Sequence, residues 1–231
     1  MKYIFISIVL LFSIIAFSSN SYGQGEIPIP DGPYLGQTPP GSTPEIFAPG
    51  IVNTEEFVEV EGMFGADMNT FYFVRNAEKY SGIVKVGSFK GETSTAGLIV
   101  IEYKNNKWQQ SVVATAVSEP SISPDGNTIY LKNAYVERTS DGWSEVKGLG
   151  ELFENIAIMR LSASSNGTYY FDTYSQKMDI PLRYSRLVDG KHEEPKSLGP
   201  QFGIGRYNAH PYIAPDESFI IFDSVREDGQ G

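Results

Sequence analysis

Three side chains that can exchange protons occupy the same position in copies of a repeated sequence motif. Glu61, Glu119 and His210 each stand six residues before an aspartate, and a weaker copy has Met159 at the same place. Two carboxylates and an imidazole that converge could hold a cation or a polar ligand, since oxygen and imidazole donors suit such groups. They could also be ordinary polar residues that line a wet channel or bond the backbone of a neighbouring unit. The four copies are "EGMFGADMNTFYF" (61–73), "EPSISPDGNTIYL" (119–131), "MRLSASSNGTYYF" (159–171) and "HPYIAPDESFIIF" (210–222).

Few other residues could carry catalysis. The chain has no cysteine and only two histidines, His192 and His210, so thiol nucleophiles, thiolate metal sites and disulfides are excluded. No G-x-S-x-G, H-E-x-x-H or P-loop pattern occurs. His192 lies in a Lys-His-Glu-Glu run, which is typical of a solvated outer strand or loop. The sequence therefore predicts no catalytic residue, no metal site and no cofactor, and it leaves enzymatic activity open but disfavoured.

The aspartate of each phrase belongs to a predicted turn. Proline presets φ, aspartate can bond its own backbone, and glycine accepts positive φ. These residues are therefore predicted to be structural rather than chemical. They are Pro124, Asp125, Gly126, Pro215 and Asp216, with Asp67 in the weaker copy.

A second motif lies between the copies and predicts the rest of each unit. Stretches 102–110, 137–145 and 185–194 each read as a strand, a polar turn and a second strand. Trp108 and Trp143 open two of these second strands, a repeated placement that favours packing within the sheet over a carbohydrate-stacking platform. Two hairpins per unit of roughly 40 to 60 residues predict an all-β fold, a β-propeller of four-stranded blades. The last unit has only its first hairpin, so about three and a half blades are expected.

The best-preserved copies carry a family resemblance. Stretches 119–131 and 210–222 resemble the WD40-like repeat called PD40, which occurs in exported TolB-like propellers. They are also similar to propeller domains of some secreted peptidases. The resemblance implies a propeller fold and a binding role, and it implies no chemistry. The predicted propeller covers residues 56–231 and is incomplete at its C-terminal side.

The N-terminal part reads as two segments. Residues 1–23 combine Lys2 with an apolar run and small residues, which predicts a signal peptide cleaved between Gly23 and Gln24. Residues 24–55 are rich in proline, which favours extended backbone. This segment is either a flexible leader or a strap that lies across the domain, since it has apolar residues to bury. Those residues are Tyr34, Leu35, Ile46 and Phe47.

The charge of the chain makes some classes of binding partner unfavourable. A formal net charge of −10 disfavours nucleic acid and anionic lipid surfaces. We therefore expect a periplasmic or secreted protein with no membrane contact after signal cleavage. The predicted function is a non-enzymatic binding scaffold for a protein, peptide or glycan, and the alternative is the propeller domain of a larger secreted hydrolase.

Overall fold

The computed structural model describes residues 33–55, 57–66, 68–76, 97–104, 107–115, 117–175, 181–227 and 229. The predicted signal peptide, the start of the proline-rich segment and Asp67 lie outside the described residues. Strands dominate the described part of the chain, so the predicted all-β class is confirmed. Within that part, no helix is long and apolar enough to cross a membrane.

Blade 1 is a four-stranded antiparallel sheet in which consecutive strands pair. Its second strand reads "TFYFV" and is buried on both faces, as a continuous apolar run predicts. Both faces of the blade must therefore be covered by other parts of the chain. Its strands are β1 (Val58–Phe64), β2 (Thr70–Asn76), β3 (Gly97–Lys104) and β4 (Lys107–Thr115).

Blade 2 has the same order, but its outermost strand is interrupted. The two short outer strands, β8 and β9, both pair with β7, one at each end. The interruption leaves a blade that is four strands wide. Its strands are β5 (Pro120–Ile122), β6 (Thr128–Leu131), β7 (Ala134–Thr139), β8 (Gly142–Trp143) and β9 (Lys147–Gly148).

Blade 3 repeats this arrangement with a divided outer hairpin. β12 pairs with β15, and the chain between them forms the small hairpin β13–β14. The polar turns predicted in the second motif therefore lie in hairpins of blades 2 and 3. The strands are β10 (Ile158–Ala163), β11 (Tyr169–Thr173), β12 (Leu182–Ser185), β13 (Leu187–Val188), β14 (Lys191–His192) and β15 (Lys196–Ser197).

Blade 4 is a single hairpin of β16 (Arg206–Ile213) and β17 (Ile220–Val225). Three four-stranded blades and one hairpin agree with the predicted three and a half blades. The strand pairing therefore gives a partial β-propeller.

A short helical turn precedes blade 3, and another precedes blade 4. Each follows a Leu-Gly pair, and the two glycines have φ values of 103° and 108°, where a side chain would be strained. A phenylalanine three residues after each glycine then packs on the second strand of the following blade. These turns are α1 (Glu151–Glu154), after Gly150, and a 3₁₀ turn (Pro200–Phe202), after Gly199.

Neighbouring blades bury one another's apolar faces. Tyr72 and Val74 on one face of β2 pack with Ile129 and Leu131 of blade 2. Tyr130, on the other face of β6, packs against blade 3. Because side chains alternate along a strand, each second strand has one face toward the preceding blade and one toward the next.

The proline-rich segment covers the remaining face of blade 1. Leu35 and Ala48 are 2% and 0% exposed and pack with Phe71 and Phe73 of β2. Ile46 is 72% exposed. In the described residues the segment therefore lies across the domain, as one of the two sequence interpretations expects.

The last blade has an open face at the other end of the stack. Tyr72, Tyr130 and Ile221 occupy equivalent positions of three second strands, and their exposed fractions are 1%, 8% and 61%. The face that carries Ile221 is therefore uncovered in the part of the chain that the structure describes.

Candidate functional site

A cavity of about 470 Å³ lies among the first strands of the four blades. These first strands, β1, β5, β10 and β16, are the inner strands of the propeller, as the repeat predicts. Polar side chains stand on the cavity wall at Glu61, Arg160 and His210. Most of the remaining wall is apolar, and it includes Met63, Phe64, Ile122, Ala163 and Ile213.

The three repeat-related residues come together beside this cavity, and two of them, Glu61 and His210, line it. The Glu61 carboxylate accepts the backbone N–H of Glu119, with Oε2 at 2.7 Å from the nitrogen. Oε2 of Glu119 lies 3.8 Å from Nε2 of His210. Glu61 therefore bonds the backbone of a neighbouring blade and lines the cavity, and ligand binding by these residues stays a prediction.

Arg160 joins these residues, and sequence reasoning missed it. Its Nη2 atom lies 2.6 Å from Oε2 of Glu119 and 3.9 Å from Oε1 of Glu61. Arg160 directly follows Met159, which replaces the charged residue of the pattern in the third copy. An arginine next to this replacement was the feature of the sequence that could have indicated its role. We call Glu61, Glu119, Arg160 and His210 the rim cluster.

The arginine changes what the rim cluster can hold. Its guanidinium already supplies the positive charge that two neighbouring carboxylates favour. Among the described residues, no three His, Asp or Glu side chains are placed to hold a metal ion. Arg160 therefore occupies the position beside the two carboxylates that a bound cation would take.

Burial changes the acidity of Glu61. Loss of water around this carboxyl, together with the nearby charge of Glu119, raises its pKa above the ordinary value. The backbone N–H of Glu119 and the charge of Arg160 act in the opposite direction. Any charged group that enters the cavity must compete with these contacts.

Three members of the rim cluster share an uncommon backbone conformation. Glu61, Glu119 and His210 have φ values of 57°, 55° and 52°, in the left-handed region. Bulges interrupt the pairing of β1 and of β16 at Glu61 and His210. A bulge re-aims a side chain, and left-handed non-glycine residues cost roughly 1–3 kcal/mol each, so three equivalent cases indicate a feature of the repeat.

Asp172 supports the rim cluster from below. It is fully buried, and Oδ1 accepts the backbone N–H groups of Met159 and Arg160 at 3.1 and 2.8 Å. Oδ2 accepts the backbone N–H of His210 at 2.7 Å. Burial raises the pKa of Asp172, while these backbone donors hold it down. The carboxylate therefore fixes the backbone of two blades at the site.

In blade 4, Asp223 occupies the position equivalent to Asp172, but its environment is different. Its side chain is 74% exposed, and Oδ2 lies 2.7 Å from Nδ1 of His210. Both aspartates follow a phenylalanine in their second strands, so comparing "YYFDT" with "IIFDS" was the signal that could have found them.

The predicted turn residues lie in the hairpin turns at the far side of the cavity. Oδ1 of Asp125 accepts bonds from Ser123 Oγ at 2.5 Å and from the backbone N–H of Asn127 at 3.0 Å, and Gly126 has φ 73°. Asp216 accepts the backbone N–H of Ser218 at 3.1 Å. Pro124 and Pro215 border the cavity there.

Both tryptophans pack against other parts of the propeller. Trp143 lies edge-on to Tyr72 at 6.1 Å, with the Arg138 guanidinium 4.5 Å above its ring. Trp108 packs against the cluster that includes β2 and the proline-rich segment. Their placement therefore agrees with the packing role rather than with a stacking platform.

His192 lies in an outer hairpin of blade 3, as predicted, but its ring is less solvated than the sequence indicates. Its ring is half-buried and stacks on Tyr169 at 3.9 Å, because β14 folds back over the start of β11. Burial lowers the pKa of His192. It lies in the packing of blade 3, not in the rim cluster.

Comparisons with known proteins add little to the description of the fold and of the rim cluster. No family model matches the chain, and no curated protein matches it. Among solved structures, TolB from Acinetobacter baumannii is similar, with 13% identity and a TM-score of 0.48. The match covers 77% of this chain and 40% of that one, so the chain spans less than half the length of the TolB structure. The class of protein, a partial β-propeller, rests on the strand pairing.

Proposed function

We propose that the chain is an exported, non-enzymatic β-propeller module that binds a segment of another protein or a peptide in the cavity among its inner strands. The observation that carries the proposal is the rim cluster, in which blades 1, 3 and 4 place Glu61, Arg160 and His210 on the wall of one cavity and Glu119, which leads into blade 2, contacts all three. This position is a glutamate in two copies of the repeat and a histidine in a third, and in blade 3, where it is Met159, the next residue, Arg160, supplies the charged side chain.

The cavity has the mixed character that binding of a polypeptide segment needs. Ligand pockets combine an apolar wall with a few polar groups that fix orientation. Here Met63, Ile122 and Ile213 offer apolar surface, and Arg160 and His210 offer donors. A glycan is the weaker candidate, because both tryptophans, the aromatic rings best suited to stacking on a sugar, pack against neighbouring parts of the propeller.

Peptide selection tests this binding function. The chain is immobilised and panned against a random linear peptide library, and enriched peptides are titrated against purified variants. We expect Arg160→Met to weaken their binding by about tenfold or more, as loss of a central contact does. Glu137→Gln, in an exposed pair with Lys147 on the outer edge of blade 2, is the matched control. Absence of enriched peptides, or equal binding by both variants, would overturn the proposal.

Export is a separate part of the proposal and has its own test. It is supported by the pattern of residues 1–23 alone. When the full sequence is expressed in a bacterial host, we expect the extracellular or periplasmic fraction to contain a chain that starts at Gln24. N-terminal sequencing that finds Met1 in those fractions would contradict cleavage. The alternative function, a propeller domain of a larger hydrolase, stays a prediction.

A further inference from the structure

Blade 4 presents a row of exposed apolar side chains. Alternate residues of β17 point to one side of the sheet, and on the uncovered side these are Ile221, Asp223 and Val225. Phe219 stands two residues before Ile221, and Tyr212 of β16 is paired directly with Ile221, so both lie on that side. The four apolar residues are between 51% and 61% exposed. We call this side of blade 4 the open face, and an exposed apolar patch of this kind marks a site of interaction.

The open face is more apolar than the equivalent faces that are buried between blades. At the position of Phe219, the repeat has Thr70 in blade 1 and Thr168 in blade 3. At the position of Val225, blade 1 has Asn76. Interfaces between identical subunits are more apolar than the rest of a protein surface. The composition of the open face therefore suits contact with a second copy of this chain.

The opposite end of the stack of blades is closed to such a contact. Leu35 and Ala48 of the proline-rich segment cover that face of blade 1 and pack with Phe73. Blade 4 of one copy therefore cannot continue the stack by packing on blade 1 of another. Copies that associate through the open face must place it against its own equivalent, which is an isologous contact.

The charged residues of the open face also suit contact with an identical surface. The side chain of Asp223 is 74% exposed and lies in the row of apolar residues. Arg206 is exposed and is paired with Val225, so it lies on the same side of the hairpin. In an isologous contact, each contact between two different residues occurs a second time with the copies exchanged. One arginine and one aspartate on each surface can therefore form symmetric ion pairs.

We propose that the chain forms a dimer in which the open faces of two copies pack together, with Arg206 of each copy beside Asp223 of the other. The dimer buries the row of apolar residues. It also ends the assembly at two copies, because the covered face of blade 1 offers no further contact of this kind. The dimer does not depend on the proposed function.

The stoichiometry of association is the first test. The chain is purified after export, so that the apolar run within residues 1–23 does not contribute to association. Sedimentation equilibrium over a wide range of protein concentrations should fit a reversible monomer–dimer equilibrium. A series of larger species would show head-to-tail packing, and a monomer at every concentration would show that the open faces do not meet. Either result would overturn the dimer.

An exchange of charges tests which faces meet. Arg206→Asp and Asp223→Arg should each weaken dimerisation by about threefold or more, because each substitution places like charges opposite one another. The double variant restores opposite charges, so its dissociation constant should return to within about twofold of the wild-type value. The matched exchange of Glu137 and Lys147, an exposed pair on blade 2, should leave dimerisation unchanged. Single variants that dimerise like the wild type, or a double variant that does not recover, would overturn the contact between open faces.

Discussion

Among single residues, Asp172 has the clearest structural role. It is a buried carboxylate that accepts three backbone N–H groups from blades 3 and 4. We predict that Asp172→Ala lowers the free energy of unfolding by about 3 to 5 kcal/mol, because three partly buried backbone donors lose their acceptor. Urea unfolding measures this change.

The equivalent Asp223 provides the matched control for that substitution. Its side chain is mostly in water, so Asp223→Asn should change the free energy of unfolding by less than about 0.5 kcal/mol at neutral pH. If the two substitutions lower the free energy of unfolding by similar amounts, burial does not explain the contribution of Asp172 to stability.

Glu61 should give the stability of the protein a definite pH dependence. Burial raises its pKa above the ordinary 4.5, so the folded chain holds this proton more tightly than the unfolded chain does. The resulting stability is present below about pH 4.5 and is lost as the pH rises through the raised value. We therefore predict that the stability of Glu61→Gln relative to the wild type increases between about pH 4 and pH 7. Chemical unfolding across this range measures the difference.

Asp125 provides a control of opposite sign. The Ser123 hydroxyl and the Asn127 backbone N–H lower the pKa of Asp125 below its ordinary 3.8. Its contribution to stability is therefore present above that value and is lost as the pH falls. Asp125→Asn should be at its greatest disadvantage relative to the wild type at neutral pH. The same trend for both variants would contradict the assigned environments.

At the scale of elements, the proline-rich segment acts as a cover for blade 1. Leu35 is buried against β2 and β3, whereas Ile46 of the same segment is largely in water. We predict that Leu35→Ala lowers the free energy of unfolding by about 2 to 4 kcal/mol, because it leaves a cavity in that interface. Ile46→Ala should have little effect. Comparable effects in thermal or urea unfolding would show that the segment does not depend on this packing.

The elements of the propeller were predictable to a large extent. A hairpin phrase depends on local turn chemistry and on alternation along strands, so the copies at 119–131 and 210–222 predicted strands and turns where they occur. The divided outer strands of blades 2 and 3 were not predicted. Two-residue strands such as Gly142–Trp143 carry no alternation that a sequence pattern could reveal.

The rim cluster was predictable only in part. Repeat spacing placed Glu61, Glu119 and His210 together, because equivalent residues of stacked units converge. Arg160 and Asp172 were missed, since their contacts cross between blades and leave no local periodicity. The bulges added a second obstacle, because a left-handed residue breaks the alternation from which the direction of a side chain is inferred.

At the scale of the whole molecule, the part of the chain that the structure describes covers the stack of blades at one end and leaves it open at the other. Ile221 is exposed on the face whose equivalents are buried in blades 1 and 2. We predict that the chain self-associates as its concentration rises, and that Ile221→Lys reduces this association, since exposed apolar patches promote contact. Sedimentation velocity measures the effect. Val112→Lys, at an exposed position of blade 1, is the control, and equal effects would contradict a role for the open face.

The cover on blade 1 also has a consequence for the order in which the molecule folds. The covering segment precedes blade 1 in the chain, so in the proposed export it reaches the far side of the membrane before the surface on which it packs. Each later blade then meets a partner that has already emerged. Folding can therefore advance in one direction with the chain, and the newest blade alone has an exposed face at each stage.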